Sequence, residues 1–258
     1  MAQMPQTTTD AVLFDIDDRG VATIRLNRPD EGNALDMDVA GGLAAAVDRI
    51  GTADGVRVIV LASSGRLFCG GGDVRGMAGA EDREAFLSAL AGSVHESLIA
   101  LDGLSIPVVA AVQGAAAGAG IGLLLAADVV VAGDRSSFTA AYPGVGLSPD
   151  CGVSINLPRA VGMRRALRML VRNERIDAAT ALDWGLVDEV VETDGLDAAV
   201  SAVVEELLAL PTAAIGHARR LVRASYERGF TAHLDDEAVT IAALGTSQDA
   251  SARLARFV

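Results

Sequence analysis

The chain has 258 residues, 51% of them apolar, and a formal net charge of −13. That length can bury a large core, and that apolar share leaves only the first few residues open to disorder. The acid excess excludes a nucleic-acid groove, which needs a basic face. All 21 basic residues are Arg, which excludes Schiff-base chemistry on a lysine and a Walker P-loop. His95, His217 and His233 lie far apart, and no Cys/His spacing resembles a metal site, so no metal is expected. Cys69 and Cys151 read as reduced, small packing thiols, and a cytoplasmic location follows as the expectation.

In chain order, Ala11–Ile16 and Val21–Leu26 read as strands of a hairpin turning on Asp17-Asp18-Arg19-Gly20. A helix follows from an Asp36 cap to Ile50. Arg57–Leu61 is a strand and Ser63–Gly72 a loop. Glu81–Leu101 reads as a helix with Phe86, Leu90, Val94 and Leu98 on one face. Ile106–Ala127 carries no charge and is long enough to span a bilayer, but Pro107, Gln113 and a glycine cluster break it. It reads as strand, loop and buried Ala/Leu helix from about Ala119 to Ala127, with no membrane partner. Val129–Ala132 and Ser137–Ala140 are strands. Asp150 is a candidate cap for a helix toward Leu157. Gly162–Leu170 and Ala178–Trp184 are helices and Val187–Val191 a strand. Leu196–Leu210, Pro211–Arg228, Thr231–Leu244 and Ser247–Phe257 form a helical tail, with a soft boundary near Thr193 dividing residues 1–193 from 194–258.

Two glycine-rich loops follow strands and open helices: Cys69-Gly70-Gly71-Gly72-Asp73 and Gly114-Ala115-Ala116-Ala117-Gly118-Ala119-Gly120. Glycine lets a ligand come close to main-chain N–H groups. Two such loops could aim two amide donors at one oxygen, an oxyanion hole. Either loop alone is better read as a tight turn in a buried core. Gly118-x-Gly120-x-Gly122 misses the dinucleotide-binding spacing.

Arg25-Leu26-Asn27-Arg28-Pro29, Asn33-Ala34-Leu35, Phe68-Cys69-Gly-Gly-Gly-Asp73, Pro107-Val-Val-Ala-Ala-Val-Gln-Gly114 and Ala181-x-x-x-Gly185-Leu186-Val187, in that order, resemble the crotonase (enoyl-CoA hydratase/isomerase) superfamily. The resemblance implies an α/β spiral of ββα repeats and a helical C-terminal region serving trimerisation and pocket covering. It implies a homotrimer or dimer of trimers. It also implies an acyl-CoA thioester substrate, with CoA as part of the substrate and no separate cofactor. By motif position the oxyanion donors are the N–H groups of Gly72 and Ala119. Ala34, Leu35, Asp73 and Val74 would line the CoA adenine pocket, and Arg25 and Arg75 would meet its phosphates. Asp73 is equally read as fixing its own loop.

The two glutamates of the family's hydratases fall on Gly122 and Tyr142, which cannot act as carboxylate bases. Gly146-Leu147-Ser148-Pro149-Asp150-Cys151-Gly152 with Leu157-Pro158-Arg159 resembles the branch containing 1,2-epoxyphenylacetyl-CoA isomerase, and that resemblance makes Asp150 the catalytic carboxylate. The expected activity is a double-bond shift through a thioester enolate, with Asp150 moving the proton and Tyr142 as a pocket wall or phenol donor. The alternatives are an enoyl-CoA hydratase (a lyase), an aryl-CoA dehalogenase-like enzyme with Asp150 as nucleophile, and a non-catalytic acyl-CoA binder. His95 falls at the position of a histidine of the dehalogenase; by itself it reads as a half-buried helix residue.

Overall fold

The computed structural model describes residues 11–257; the expectation about the first few residues lies outside them. Strands β1 (Val12–Ile16) and β2 (Val21–Leu26) form the hairpin. Asp17 Oδ1 accepts from the N–H groups of Arg19 and Val21, both at 2.9 Å, and so closes the turn. Helix α1 (Met37–Thr52) starts where Asp36 accepts the Val39 N–H at 2.8 Å. It leads to β3 (Val58–Ser63), the short α2 (Val74–Gly79), the long α3 (Arg83–Gly103) and β4 (Val108–Val112). The uncharged stretch 106–127 is not one helix: it contains β4, β5 (Ala115–Ala117) and α4 (Ala119–Leu125). No single helix among the described residues is long and apolar enough to cross a membrane.

The chain continues through β6 (Val129–Gly133), β7 (Ser137–Thr139), α5 (Val153–Val161), α6 (Met163–Val171), β8 (Arg175–Asp177), α7 (Ala178–Trp184) and β9 (Glu189–Val191). Helices α8 (Leu196–Leu208), α9 (Thr212–Ala224), α10 (Phe230–Gly245) and α11 (Gln248–Leu254) complete it.

Six strands form one sheet in the order β1-β2-β3-β4-β6-β9, parallel except for the opening hairpin. Three more form a second sheet, β5-β7-β8. The ββα rhythm is visible at β4-β5-α4, where the chain leaves the first sheet, adds a strand to the second and enters a helix. Gly114 makes that corner: a Cβ there would lie 1.9 Å from the Arg66 carbonyl oxygen.

The central strands β3 and β4 of the large sheet are buried on both faces, as parallel strands covered by helices must be. Ile59, Leu61, Val108, Ala110 and Val112 point into the main core. The alternate residues Val58, Val60, Val109 and Val131 meet Leu196, Val200, Val203 and Val204 of α8 on the other face. Helix α9 is tied down by Arg219, whose side chain is 4% exposed. It pairs with Asp128 at 2.7 Å and donates to the carbonyls of Asp102 and Leu104, each at 2.7 Å, at the end of α3. A guanidinium fork can serve a carboxylate and several carbonyls at once.

One local expectation is corrected. Asp150 does not cap the helix after it. That helix begins at Val153 with Gly152 in the cap position, and no side chain caps it. Only the main-chain carbonyl of Asp150 takes part, accepting the Val153 N–H at 3.0 Å. The Asp150 carboxylate is thereby left for another partner.

Candidate active site

The two glycine loops are stitched together by backbone hydrogen bonds. Phe68 N–H donates to the Ala115 carbonyl at 3.0 Å, and Ala117 N–H donates to the Cys69 carbonyl at 2.9 Å. Leu35 fixes the first loop from its other side: its N–H donates to the Gly71 carbonyl at 2.8 Å, and its carbonyl accepts from Asp73 N–H at 2.9 Å. This parallel bridge engages the residues on either side of Gly72. Gly71 has φ +100°, and a Cβ there would come to 3.0 Å from the Ala117 carbonyl oxygen. Gly118 has φ +52° and its N–H donates to the Thr139 carbonyl at 3.1 Å, so α4 starts at Ala119.

Two donors are left over. Among the described residues neither the Gly72 nor the Ala119 N–H has a protein acceptor, and both residues line one cavity of about 290 Å³. Ala119 sits at the first position of α4, where a helix leaves its N–H groups unpaired. Leu35, Val74, Tyr142, Asp150 and Cys151 line the same cavity. Its apolar wall includes Met77 of α2 and Leu87, Leu90 and Val94 of α3.

Tyr142 is buried, and its hydroxyl donates to Asp150 Oδ1 at 2.7 Å. Burial first, and then the bond to the neighbouring carboxylate, push the phenol far above its usual range, so Tyr142 remains a donor. Asp150 is half-buried, with one oxygen engaged by Tyr142. Its neighbour Cys151 has φ +50° and donates its N–H to His95 Nε2 at 3.0 Å. In the sequence His95 stands at the position of a histidine of the dehalogenase and otherwise reads as a half-buried helix residue; this contact links it to Asp150 through one residue. The local sequence carries no signal for it, because α3 and the turn meet only in the fold.

His95, Asp150 and Cys151 bring a nitrogen, an oxygen and a sulfur within 4.8 Å of one another. Burial, then the Asp150 charge, drive the Cys151 thiol upward, so it stays protonated, and the His95 Nε2 lone pair is engaged. The trio is a hydrogen-bonded cluster and not a ready set of metal ligands. Cys69 lies wholly buried under the first loop, its thiol pushed up to about 12 by burial.

The remaining residues of the sequence reading lie around this cavity. Asp73 caps α2, its carboxylate accepting from Arg75 N–H at 3.1 Å. Arg75 is exposed on α2, beside Val74. Arg25 is half-buried on β2 and donates to the Ser63 carbonyl at 3.3 Å. The Ala34 carbonyl is held by Arg28 at 3.0 Å. Of this group the cavity wall includes Leu35 and Val74, and not Arg25, Ala34, Asp73 or Arg75.

Gly122 lies inside α4, against the turn that carries Asp150. A Cβ there would sit 2.5 Å from the Cys151 carbonyl oxygen and 2.6 Å from its Cβ. No side chain fits at that position.

Two main-chain donors without an acceptor and a carboxylate on the wall of one cavity can together stabilise charge on a carbonyl oxygen and move a proton beside it. The chain belongs to the enoyl-CoA hydratase/isomerase family, whose model matches residues 17–258. It has the crotonase-like α/β fold with a helical C-terminal region. Among curated relatives, it is 34% identical to a trans-2-decenoyl-[acyl-carrier-protein] isomerase of Streptococcus mutans, covering 76% of this chain and 75% of that one. It is 38% identical to a "Probable enoyl-CoA hydratase" of Rhodobacter capsulatus, covering 89% and 88%. Among solved structures, an enoyl-CoA hydratase from Mycobacterium smegmatis superposes with a TM-score of 0.90 at 33% identity, covering 96% and 95%. Membership carries enzymatic activity on acyl-CoA thioesters of the hydratase/isomerase kind.

Proposed function

We propose that the protein is an acyl-CoA isomerase of the 1,2-epoxyphenylacetyl-CoA isomerase-like branch that shifts a double bond without adding water. The observation that carries this reading is the pairing of two free amides, Gly72 and Ala119, with one carboxylate, Asp150, around a single cavity. The thioester carbonyl oxygen takes the two N–H groups. Asp150 removes the proton α to the carbonyl, and the electron pair moves into the thioester as an enolate. The same carboxyl returns that proton at the far end of the delocalised system, so one acid–base group suffices. A donor of this kind contributes about 10²–10³ in rate and positioned acid–base help about 10²–10⁴. Tyr142 holds one Asp150 oxygen and leaves the other to carry the proton. A hydratase needs two carboxylates around its water. Gly122 offers none and has no space for one, and Tyr142 stands at the second position.

The test is conversion of a 3-enoyl-CoA into the conjugated 2-enoyl-CoA, followed by ultraviolet absorbance. Wild-type protein forms the conjugated thioester. Asp150→Asn loses turnover while acyl-CoA affinity stays within about threefold. Full activity in that variant removes Asp150 from the reaction. Hydration of 2-enoyl-CoA by the wild type restores the hydratase reading, and acyl-CoA binding with no turnover of either substrate restores the non-catalytic binder.

A further inference from the structure

Asp150 is followed by two residues with left-handed backbone, Cys151 at φ +50° and Gly152 at φ +74°, before α5 begins. A non-glycine residue in that region is strained and persists only where its surroundings hold it. Three contacts do so. The Asp150 carbonyl accepts from Val153 N–H at 3.0 Å and lies 3.3 Å from the Tyr142 hydroxyl; the Cys151 N–H is held by His95 Nε2 at 3.0 Å. The contact to His95 is the one that depends on a proton. Nε2 can accept only while the ring is neutral and carries its hydrogen on Nδ1; in imidazolium both nitrogens are donors.

We propose that neutral His95 is the positioning residue for Asp150: it grips the Cys151 amide and so aims the carboxylate, and protonation of the ring releases the turn. The inference rests on the reading of Asp150 as the proton carrier. Asp150 lies within the 4.8 Å cluster and attracts the protonated ring, drawing it off the amide. On the other side, Asp102 of α3 and Arg223 of α9 line a second cavity with His95. Arg223 is paired with both Asp102 and Asp128, which offset its charge. Helix α4 presents only Gly122 and Ala126 there, and α5 only the neutral Asn156. Burial keeps the Cys151 thiol uncharged.

The experiment compares wild type, His95→Gln and His95→Phe. Glutamine places an amide oxygen near Nε2 and accepts at every pH; phenylalanine keeps the volume and removes the acceptor. In wild type, kcat for 3-enoyl-CoA falls on acidification. In His95→Gln this His95-dependent part of the acid limb is lost while kcat at neutral pH stays within about threefold. In His95→Phe, kcat at neutral pH falls by up to about 100-fold with KM little changed, the scale expected of a misaimed catalytic group, and the His95-dependent part of the acid limb is absent. An unaltered acid limb in His95→Gln, or full kcat in His95→Phe, overturns the proposal. Cysteine-selective 15N labelling gives a readout that needs no turnover, since Cys69 and Cys151 supply only two amide signals, assigned with Cys69→Ala. The Cys151 amide shifts with pH in wild type and is flat in His95→Gln. A flat Cys151 signal in wild type overturns the positioning role. A titrating signal in a protein that turns over no enoyl-CoA leaves the grip on the turn standing and removes the isomerase reading.

Discussion

Gly122 is the single residue on which the proposed preference for isomerisation over hydration leans most. The Cys151 backbone occupies the space that a side chain at 122 would need, at 2.5 Å from a hypothetical Cβ. Gly122→Glu therefore does not create a hydratase. It pushes α4 away from the catalytic turn, at a cost of about 1–3 kcal/mol for overpacking, and lowers isomerase activity. Chemical denaturation and a hydration assay on 2-enoyl-CoA check both halves. Tyr142 is the complementary case. Its hydroxyl gives the Asp150 carboxylate a fixed orientation. A hydrogen bond to a charged group is worth about 1.5–3 kcal/mol, so Tyr142→Phe lowers kcat by about 10–100-fold and leaves KM nearly unchanged. An unchanged kcat would reduce Tyr142 to a packing residue. The glycine clusters mark the two loops in the sequence, but Gly72, Ala119 and Asp150 could be singled out only through the motif order of the family resemblance, since local sequence reads the loops as turns and Asp150 as a cap. The grip of His95 on Cys151 could not, because Cys151 does not announce a left-handed turn and its partner lies 56 positions away.

Elements with a strong period or a clear cap were legible. Asp36 before α1 and the Val/Ala run of β4 mark themselves through local preference, which needs no knowledge of the rest of the fold. Three short elements were not. Helix α2 (Val74–Gly79) and strands β5 (Ala115–Ala117) and β8 (Arg175–Asp177) are too brief to show periodicity, and the two strands exist because β7 lies between them. Asp150 misled for a related reason: a carboxylate before a helix looks like a cap, but the tight turn at Cys151 and Gly152 intervenes. The anchoring of α9 is also tertiary. Arg219 joins α9 to the end of α3 and to Asp128 with almost no solvent contact. Removing one partner of a buried pair costs about 3–5 kcal/mol. Arg219→Ala falls at the lower end, about 3 kcal/mol, because Asp128 keeps Arg223 at 2.9 Å and the Val108 N–H at 2.9 Å. Arg219→Lys recovers little, since one ammonium cannot reproduce the fork. Urea denaturation of the two variants measures this directly.

At the scale of the whole molecule, helix α10 has one buried residue, Thr240, along its 16 residues. Phe230, Leu234 and Ile241 share a face of it, 79%, 45% and 73% exposed. An apolar stripe of that kind marks an interaction surface, and we propose that a second copy of this chain covers it, as the trimer implied by the family resemblance would require. Sedimentation is expected to show three or six copies, and Phe230→Asp with Ile241→Asp to give monomers that remain folded. The stripe is presented by a helix held to α9 through Asp236, which accepts from Arg220 at 2.6 and 2.9 Å and is also paired with Arg228. The Arg220 bonds, opposed by partial desolvation and helped by Arg228 and Thr240, hold the Asp236 carboxyl well below its ordinary value of 3.8. A carboxyl depressed in the folded state stabilises it fully above that ordinary value, and the contribution is lost as pH falls below it. Acid should therefore loosen α10 from α9 and dissociate the assembly before the β core unfolds. The Asp236→Asn variant lacks this ion pairing at every pH. It should associate more weakly near neutrality and lose the part of the acid-induced dissociation that belongs to Asp236. Sedimentation of both proteins from neutral pH down to about pH 3 decides the matter, and identical dissociation profiles would show that the stripe is held by something other than the Arg220–Asp236 pair.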